Sequence, residues 1–296
     1  MIAKLSEILG HAKEGRYGVP AISAANEFTL RACIEAAEEA KSPVIILTGY
    51  YQTDAVNYFT RIIEDFSCRA SVPVASIWDH SSNFKESMRG IRAGFGSIMV
   101  DRSLLPYEQN VAEVKEMVRI AHAVDIEVES ELGHVGSGVN YDVDGNSALT
   151  VPEEAVRYVK ETGIDCLAVA IGTAHGVYKG EPKLRFDLLE ELATEVPVPL
   201  VLHGGSGTGD ENIARACSLG ICKVNVANEL MRACLDSLLV DGMEGNNIYR
   251  FWSVMEKGYK QKCQHFFDIC GSSGKAWAVS QSLSPPNIAT HRKWGS

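Results

Sequence analysis

The sequence predicts an α/β fold, a (β/α)8 barrel of the TIM type with an extra C-terminal helix. Three observations carry that prediction. Short, almost continuously apolar segments alternate with helical ones, as strands buried on both faces require. Eight such strand–helix pairs can be laid along the chain. The length of 296 residues is ordinary for a barrel of that kind. A doubly wound parallel sheet is the runner-up.

The elements follow in order. MIAKLSEILGHAKEG at the N-terminus reads as an amphipathic helix and not as a signal peptide. Strand Gly18–Ile22 precedes helix Thr29–Ala40, and strand Pro43–Leu47 precedes helix Asp54–Cys68. Strand Pro73–Ile77 leads to helix Asn83–Arg92. Strand Ser97–Val100 leads to helix Pro106–Ala123, whose proline sits near the first helical position, where it is tolerated. Strand Ile126–Glu131 opens a long polar loop with several glycines, reaching about Thr150. Helix Val151–Thr162, strand Cys166–Ile171 and helix Phe186–Thr194 come next. Strand Leu200–Leu202, a helix from Asp210 to Gly220, strand Cys222–Val226 and helix Ala227–Val240 complete the eight units. Tyr249–Phe267 is the additional helix. Residues 1–279 read as one domain and 280–296, rich in Ser and Pro, as an extended or disordered tail.

Composition excludes several classes. A net charge of -10 and a pI near 5.3 argue against a nucleic-acid partner. No apolar run reaches the roughly 18 residues of a membrane span. The eight cysteines form no CxxC, and several lie inside apolar runs. They read as buried thiols in a reducing, cytoplasmic compartment.

The stretch PLVLHGGSGTGDENIARACSLGICKVNVANEL, from Pro199 to Leu230, is the most informative. Two strand ends each carry a turn of small or polar residues that opens a helix. Backbone N–H groups in such turns can approach an anion, and helix N-termini favour one. The alternative is two ordinary strand–helix turns. In a barrel the chemistry sits at the C-terminal ends of the strands. There stand Asp79 and His80, Asp101 and Arg102, Glu129 and Glu131, His175, and His203. Three imidazoles on one rim, with an open position, make a catalytic zinc or similar divalent site. His11, His122, His265 and His291 fall on helices or the tail and read as surface residues, and His134 is undecided. Arg102 has two readings, a ligand for an acceptor phosphate or carboxylate and a partner for a neighbouring acidic residue.

These residues carry a resemblance. Asp79-His80, AVAIGTAHGVYKGEPKLRFD from residue 168, PLVLHGGSG from 199 and KVNVANEL from 223 resemble the class II, metal-dependent ketose-bisphosphate aldolases. The fructose- and tagatose-bisphosphate group is nearest in appearance. YGVPA at 17, SPVII at 42, AGFGSIMVD at 93, ESELGHVG at 129 and GSSGKA at 271 extend the likeness to about Ala276. The resemblance implies a reversible cleavage of a ketose bisphosphate to dihydroxyacetone phosphate and an aldehyde. It implies His80, His175 and His203 as zinc ligands and Asp79 as the catalytic acid-base. Asp101 and Glu131 fall where the family has a second or alternate metal position. Asn26 is what survives of an early substrate-binding NxxN segment. Gly176, the turn Gly204, Gly205 and Ser206, and the turn Asn225, Val226, Ala227 and Asn228 match its contacts to the donor phosphate. A monovalent cation (Na+ or K+) near these turns and a homodimer or homotetramer are further family properties.

The chain also departs from the family pattern. Ile77 and Trp78 replace a His-Leu pair, Ser81 replaces Gly, Arg102 replaces a small residue, and Ser23 replaces the first Asn of the NxxN segment. Val139 and Asn140 stand where the family has the Glu and Asp of its proton-transfer loop. Neither is a general base, which turns attention to Asp142 and Asp144 and keeps two rivals open. One is a metal-dependent sugar-phosphate epimerase or isomerase; the other is a non-catalytic protein that binds a metal and a sugar phosphate.

Overall fold

The computed structural model describes residues 1–49, 52–136, 149–176, 178, 182–242 and 247–278. Eight parallel strands close into a barrel in sequence order. They are β1 (Val19–Ser23), β2 (Val44–Gly49), β3 (Val74–Ser81), β4 (Ser97–Val100), β5 (Glu127–Leu132), β6 (Cys166–Val169), β7 (Leu200–Leu202) and β8 (Ile221–Val226). Closure sets β8 against β1, with Val19 opposite Lys223 and Ala21 opposite Asn225. Helix α1 (Leu5–Gly15) precedes the barrel. Then α2 (Glu27–Ala40), α3 (Val56–Arg69), α4 (Phe84–Ala93), α5 (Tyr107–His122), α6 (Pro152–Thr162), α7 (Phe186–Glu195), α8 (Asp210–Leu219) and α9 (Asn228–Asp241) follow the strands in turn. Helix α10 (Ile248–Ile269) is the expected addition. The doubly wound alternative is therefore excluded, and the tail expected from residue 280 lies outside the described residues.

Period-two alternation divides each strand between two cores. Ala21, Ile45, Ile77, Met99 and Val201 point into the barrel. Their neighbours Ile22, Ile46, Trp78, Ile98 and Leu202 face the helices. Leu5, Ile8 and Leu9 of α1 join the inner cluster and close its N-terminal end. Burial of each such side chain contributes roughly 1.5–3 kcal/mol, so this helix is a working part of the barrel.

Local signals set the helix ends. Asn26 caps α2, accepting from the Thr29 N–H while the Thr29 hydroxyl accepts from the Asn26 N–H. Asn83 caps α4 by accepting from the Glu86 N–H, and Gly94 ends that helix in the left-handed region at φ 93°. Two registers shift. One lies between β3 and β4, between Trp78 and Ser81. The other lies between β7 and β8, where Leu200 and Val201 pair with Ile221 and Lys223. The extra residue in β8 lets both Cys222 and Lys223 point into the barrel, as a bulge does.

Helix α10 braces the outside. It packs on α2 and α9. Its Tyr259 hydroxyl donates to the Ser23 carbonyl at 2.5 Å, and its Lys262 reaches Glu229 at 3.3 Å. All eight cysteines are free and seven are buried; Cys68 is exposed. Among the described residues no helix is long and apolar enough to cross a membrane.

Trp78 is fully buried, donates from its indole N–H to the Glu86 carbonyl at 3.0 Å, and packs closely against α4 at Gly90. A Cβ at Gly90 would sit 2.5 Å from Trp78 Cδ1. Gly90→Ala is therefore expected to destabilise the chain by about 1–3 kcal/mol through overpacking. In Gly90→Ala/Trp78→Leu the two effects should offset, so the double variant melts higher than the sum of the single losses implies. Thermal unfolding of the four proteins checks this.

Candidate active site

The rim at the C-terminal ends of the strands gathers three imidazoles. His80 ends β3, His175 lies in the loop after β6, and His203 directly follows β7. One ring nitrogen from each falls within 4.8 Å of the others. Ring centroids are 4.9 Å apart for His80–His175 and His80–His203, and 5.6 Å for His175–His203.

The second nitrogen of each ring meets an acceptor. His80 Nδ1 is 3.0 Å from Asp101 Oδ2, His175 Nδ1 is 3.1 Å from the Val135 carbonyl, and His203 Nε2 is 2.9 Å from Glu129 Oε1. Carboxylates and carbonyls only accept, so these nitrogens carry protons. The tautomers are thereby set, and His80 Nε2, His175 Nε2 and His203 Nδ1 face one another. Among the described residues His203 Nδ1 and Glu131 Oε2 are buried with no hydrogen-bond partner, 3.7 Å apart. Three imidazole nitrogens and an orphaned carboxylate oxygen are a donor set for a divalent cation. His80, Asp101 and Glu131 make a second, overlapping group.

Charge explains the protonation. Burial alone would lower the His80 pKa, but the carboxylates of Asp79, Asp101 and Glu131 outweigh it and raise the pKa to about 9. Burial, with His203 and His80 beside it, lowers that of His175 to about 4. His80 Nε2 lies 3.2 Å from His175 Nε2, as a charged donor facing a neutral acceptor would. Burial would raise the Asp101 pKa, yet His80 and Ser103 hold it well below the usual carboxylate range.

The backbone at His80 is unusual. Its φ is +49°, a left-handed conformation that costs a β-carbon residue free energy. Arg102 grips the following peptide. Its Nη1 donates to the Ser81 and Asp101 carbonyls, each at 2.8 Å, and its Nε pairs with Glu113 Oε2 at 2.6 Å. The guanidinium is buried, so of its two readings from sequence the structure bears out the acidic partner and not the acceptor ligand.

A cavity of about 120 Å³ opens beside the histidines. Asp79, His80 and His175 line it, together with Gly176, Gly204, Ser206 and Asn225 to Asn228. Asp79 is buried, with Oδ2 3.8 Å from His80 Nε2 and Oδ1 3.4 Å from Asn225 Nδ2. The turn residues pack too closely for side chains. Gly204 has φ +69°, and a Cβ there would lie 2.3 Å from the Ala174 carbonyl oxygen. Gly205 would meet Val224 at 2.6 Å, and its N–H already donates to the Asn225 carbonyl at 3.1 Å. Helix α9 starts at the cavity, where Ser206 Oγ accepts from the Ala227 and Glu229 N–H groups at 3.3 and 3.4 Å. Glu229 returns to the turn by accepting from the Gly207 N–H at 2.7 Å. An outer cavity of about 730 Å³ shares Gly176, Ser206 and Asn228 with this one.

Asn26 is not among the residues lining the cavity: its side chain is the cap of α2. Asp101 and Glu131 lie beside the histidines, and His134 joins them with Nδ1 3.0 Å from Ser103 Oγ and 3.6 Å from Glu131 Oε1. Val139, Asn140, Asp142 and Asp144 lie outside the described residues. Sequence reasoning missed the buried pair Glu129 and Lys223, whose Nζ–Oε2 distance is 2.8 Å. The signal was a lysine with apolar neighbours on both sides in ICKVNV, since a buried charge needs a partner.

Comparison with known proteins agrees with this geometry. The family model "Fructose-bisphosphate aldolase class-II" matches residues 3–275. The chain is 40% identical over 267 residues to the D-tagatose-1,6-bisphosphate aldolase subunit GatY of Klebsiella oxytoca, covering 88% of this chain and 94% of that protein. The crystal structure of the YdjI aldolase from Escherichia coli K12 superposes with a TM-score of 0.82 at 32% identity, over 94% of this chain and all of that one. Fructose-bisphosphate aldolase from Campylobacter jejuni shares the fold, with a TM-score of 0.77 at 21% identity over 93% of this chain and 97% of that one. The chain belongs to the class II fructose-bisphosphate aldolase family. It is thus a class II aldolase, a carbon–carbon lyase of a metal-dependent family.

A divalent cation held by these three imidazoles would displace the proton on His80. With the His80 pKa raised to about 9, loading with Zn2+ at pH 7 should release about one proton. Apparent affinity should climb as the pH rises toward that value and level off above it. Isothermal titration in buffers of different ionisation enthalpy measures the proton count.

Proposed function

We propose that the chain is a zinc-dependent aldolase that reversibly cleaves a ketose bisphosphate to dihydroxyacetone phosphate and an aldehyde. The observation that carries the reading is the set of inward imidazole nitrogens, each fixed by an acceptor on its far side, next to buried Asp79. Tagatose 1,6-bisphosphate is the first substrate to test, with fructose 1,6-bisphosphate, its C4 epimer, beside it. The 40% identity to a tagatose-bisphosphate aldolase subunit supports that order.

His80, His175 and His203 would hold the zinc, with Asp101 and Glu131 as an alternate position. When bound, the metal supplies positive charge that polarises the ketose carbonyl and stabilises the donor fragment as its carbon–carbon bond breaks. Asp79 takes the C4 hydroxyl proton on cleavage and returns it on condensation. The phosphate is held between the turn Gly204 to Ser206 and the β8–α9 turn, residues Asn225 to Asn228, at the N-terminal end of α9, with Gly176 closing the pocket. Anchoring the phosphate there places the reacting carbons beside Asp79 and the histidines. A monovalent cation near the glycine turns, a dimeric or tetrameric state and a cytoplasmic location complete the reading by family likeness.

A coupled assay for triose-phosphate release tests the function, since an epimerase or isomerase releases none. Asp79→Ala should slow release by about two to four orders of magnitude, with zinc content unchanged. Loss of zinc along with the rate would instead make Asp79 a residue that only orients the metal site.

The proton on C3 of the donor needs another base, because the loop carries Val139 and Asn140 where the family has acids. If Asp142 or Asp144 serves, removing that residue should abolish solvent deuterium incorporation into dihydroxyacetone phosphate while donor binding persists. Fast exchange in wild type, Asp142→Ala and Asp144→Ala alike would dismiss both aspartates.

A further inference from the structure

We infer that Lys223 is a positioning residue of the active centre, holding one proposed metal ligand and the proposed acid-base through two separate hydrogen-bond arms. The inference rests on the aldolase reading only for the name of the chemistry; the arms themselves are structural. The ammonium is fully buried inside the barrel. Its Nζ lies 2.8 Å from Glu129 Oε2, 3.0 Å from Glu129 Oε1 and 2.7 Å from Asn225 Oδ1.

The first arm runs through Glu129 to His203. Glu129 is also fully buried, and its Oε1 faces His203 Nε2 at 2.9 Å. An unpaired carboxylate would not persist at such a depth. Lys223 therefore keeps Glu129 charged and aimed, and the carboxylate keeps the His203 proton on Nε2. The lone pair on Nδ1 then points toward His80 and His175.

The second arm runs through Asn225 to Asp79. An ammonium only donates, so the Asn225 oxygen must face it. The Asn225 amide nitrogen is thereby turned toward Asp79 Oδ1 at 3.4 Å, and it also lies 3.2 Å from His203 Nε2. Because His203 Nε2 already donates to Glu129, it offers Asn225 no lone pair, and the amide N–H is left for Asp79. The bulge in β8 brings Lys223 inward and makes both arms possible. The Lys223 nitrogen is fully engaged by Glu129 and Asn225 inside the barrel, and so is not free to form a Schiff base with a ketose.

The test uses Lys223→Met/Glu129→Gln, which removes both charges together and leaves neither buried alone. In this variant only the weak thiol donor of Cys166, 3.5 Å from Glu129 Oε2, is left to orient the amide introduced at position 129, which can turn either its oxygen or its nitrogen toward His203. Two readouts are taken on chelator-stripped protein: affinity for Zn2+ alone, by competition with a chromophoric chelator, and imidazole 15N spectra. Wild type should show His203 protonated at Nε2 only. The double variant should show a mixture of tautomers and bind Zn2+ about 10–100-fold more weakly, with thermal stability near wild type. Wild-type affinity, or an unchanged His203 tautomer, in a folded double variant overturns the proposal and leaves Lys223 as a charge partner for Glu129. Neither readout requires aldol turnover, so a failure of the aldolase reading would show only in the triose-phosphate assay.

Discussion

An imidazole has two nitrogens, and a cation site can use only one. Everything at the mouth of this barrel answers the question of which one faces inward. Asp101, Val135 and Glu129 each occupy the outward nitrogen of a different histidine. They come from the end of β4, from the segment after β5 and from β5 itself. The three rings come from β3 and from the segments after β6 and β7. The barrel order makes neighbours of β3 and β4 and of the segments after β5 and β6, so His80 and His175 meet their acceptors across a strand boundary, whereas His203 meets Glu129 inside the barrel, past β6. A sheet wound another way would place the same residues beside different partners.

Much of this was readable in the sequence because strand ends are readable. An apolar run that stops at a histidine places that histidine on the rim, and the barrel places all such residues on one face. That logic found His80, His175, His203, Asp79, Asp101 and Glu131. It could not find Lys223, because its inward direction depends on a register shift that no periodicity announces. It also left Arg102 between two partners, since the distance to Glu113 on α5 is a property of packing. Asn26 shows the opposite difficulty. Its spacing to Thr29 is the signature of a helix cap, and the structure uses it as one. The β3 strand outran its apolar run because Asp79 and Ser81 still pair with Gly49 and Val100.

The departures from the family pattern are connected in space. Trp78 replaces a smaller residue and lies against glycine on α4. Ser81 accepts from the Ser87 hydroxyl of that helix at 3.0 Å, while Arg102 ties the Ser81 carbonyl to α5 through Glu113. All three changes surround His80, the histidine with the strained backbone. They replace the conformational freedom a glycine would give with side chains that hold the turn from outside.

Helix α10 has a consequence beyond its packing. Lys262 reaches Glu229, and Glu229 holds the Gly207 N–H at the turn beside the cavity. An ammonium on the outer face is thus two contacts away from the backbone of the glycine turn. The carboxylate between them sits at the mouth of a positively disposed helix end, where it rivals any anionic guest. Lys262 offsets that rivalry by claiming part of the carboxylate's charge. On the proposed reading of this turn as a phosphate site, a charge on the outer helix, on a surface remote from the chemistry, is linked to the pocket through two contacts.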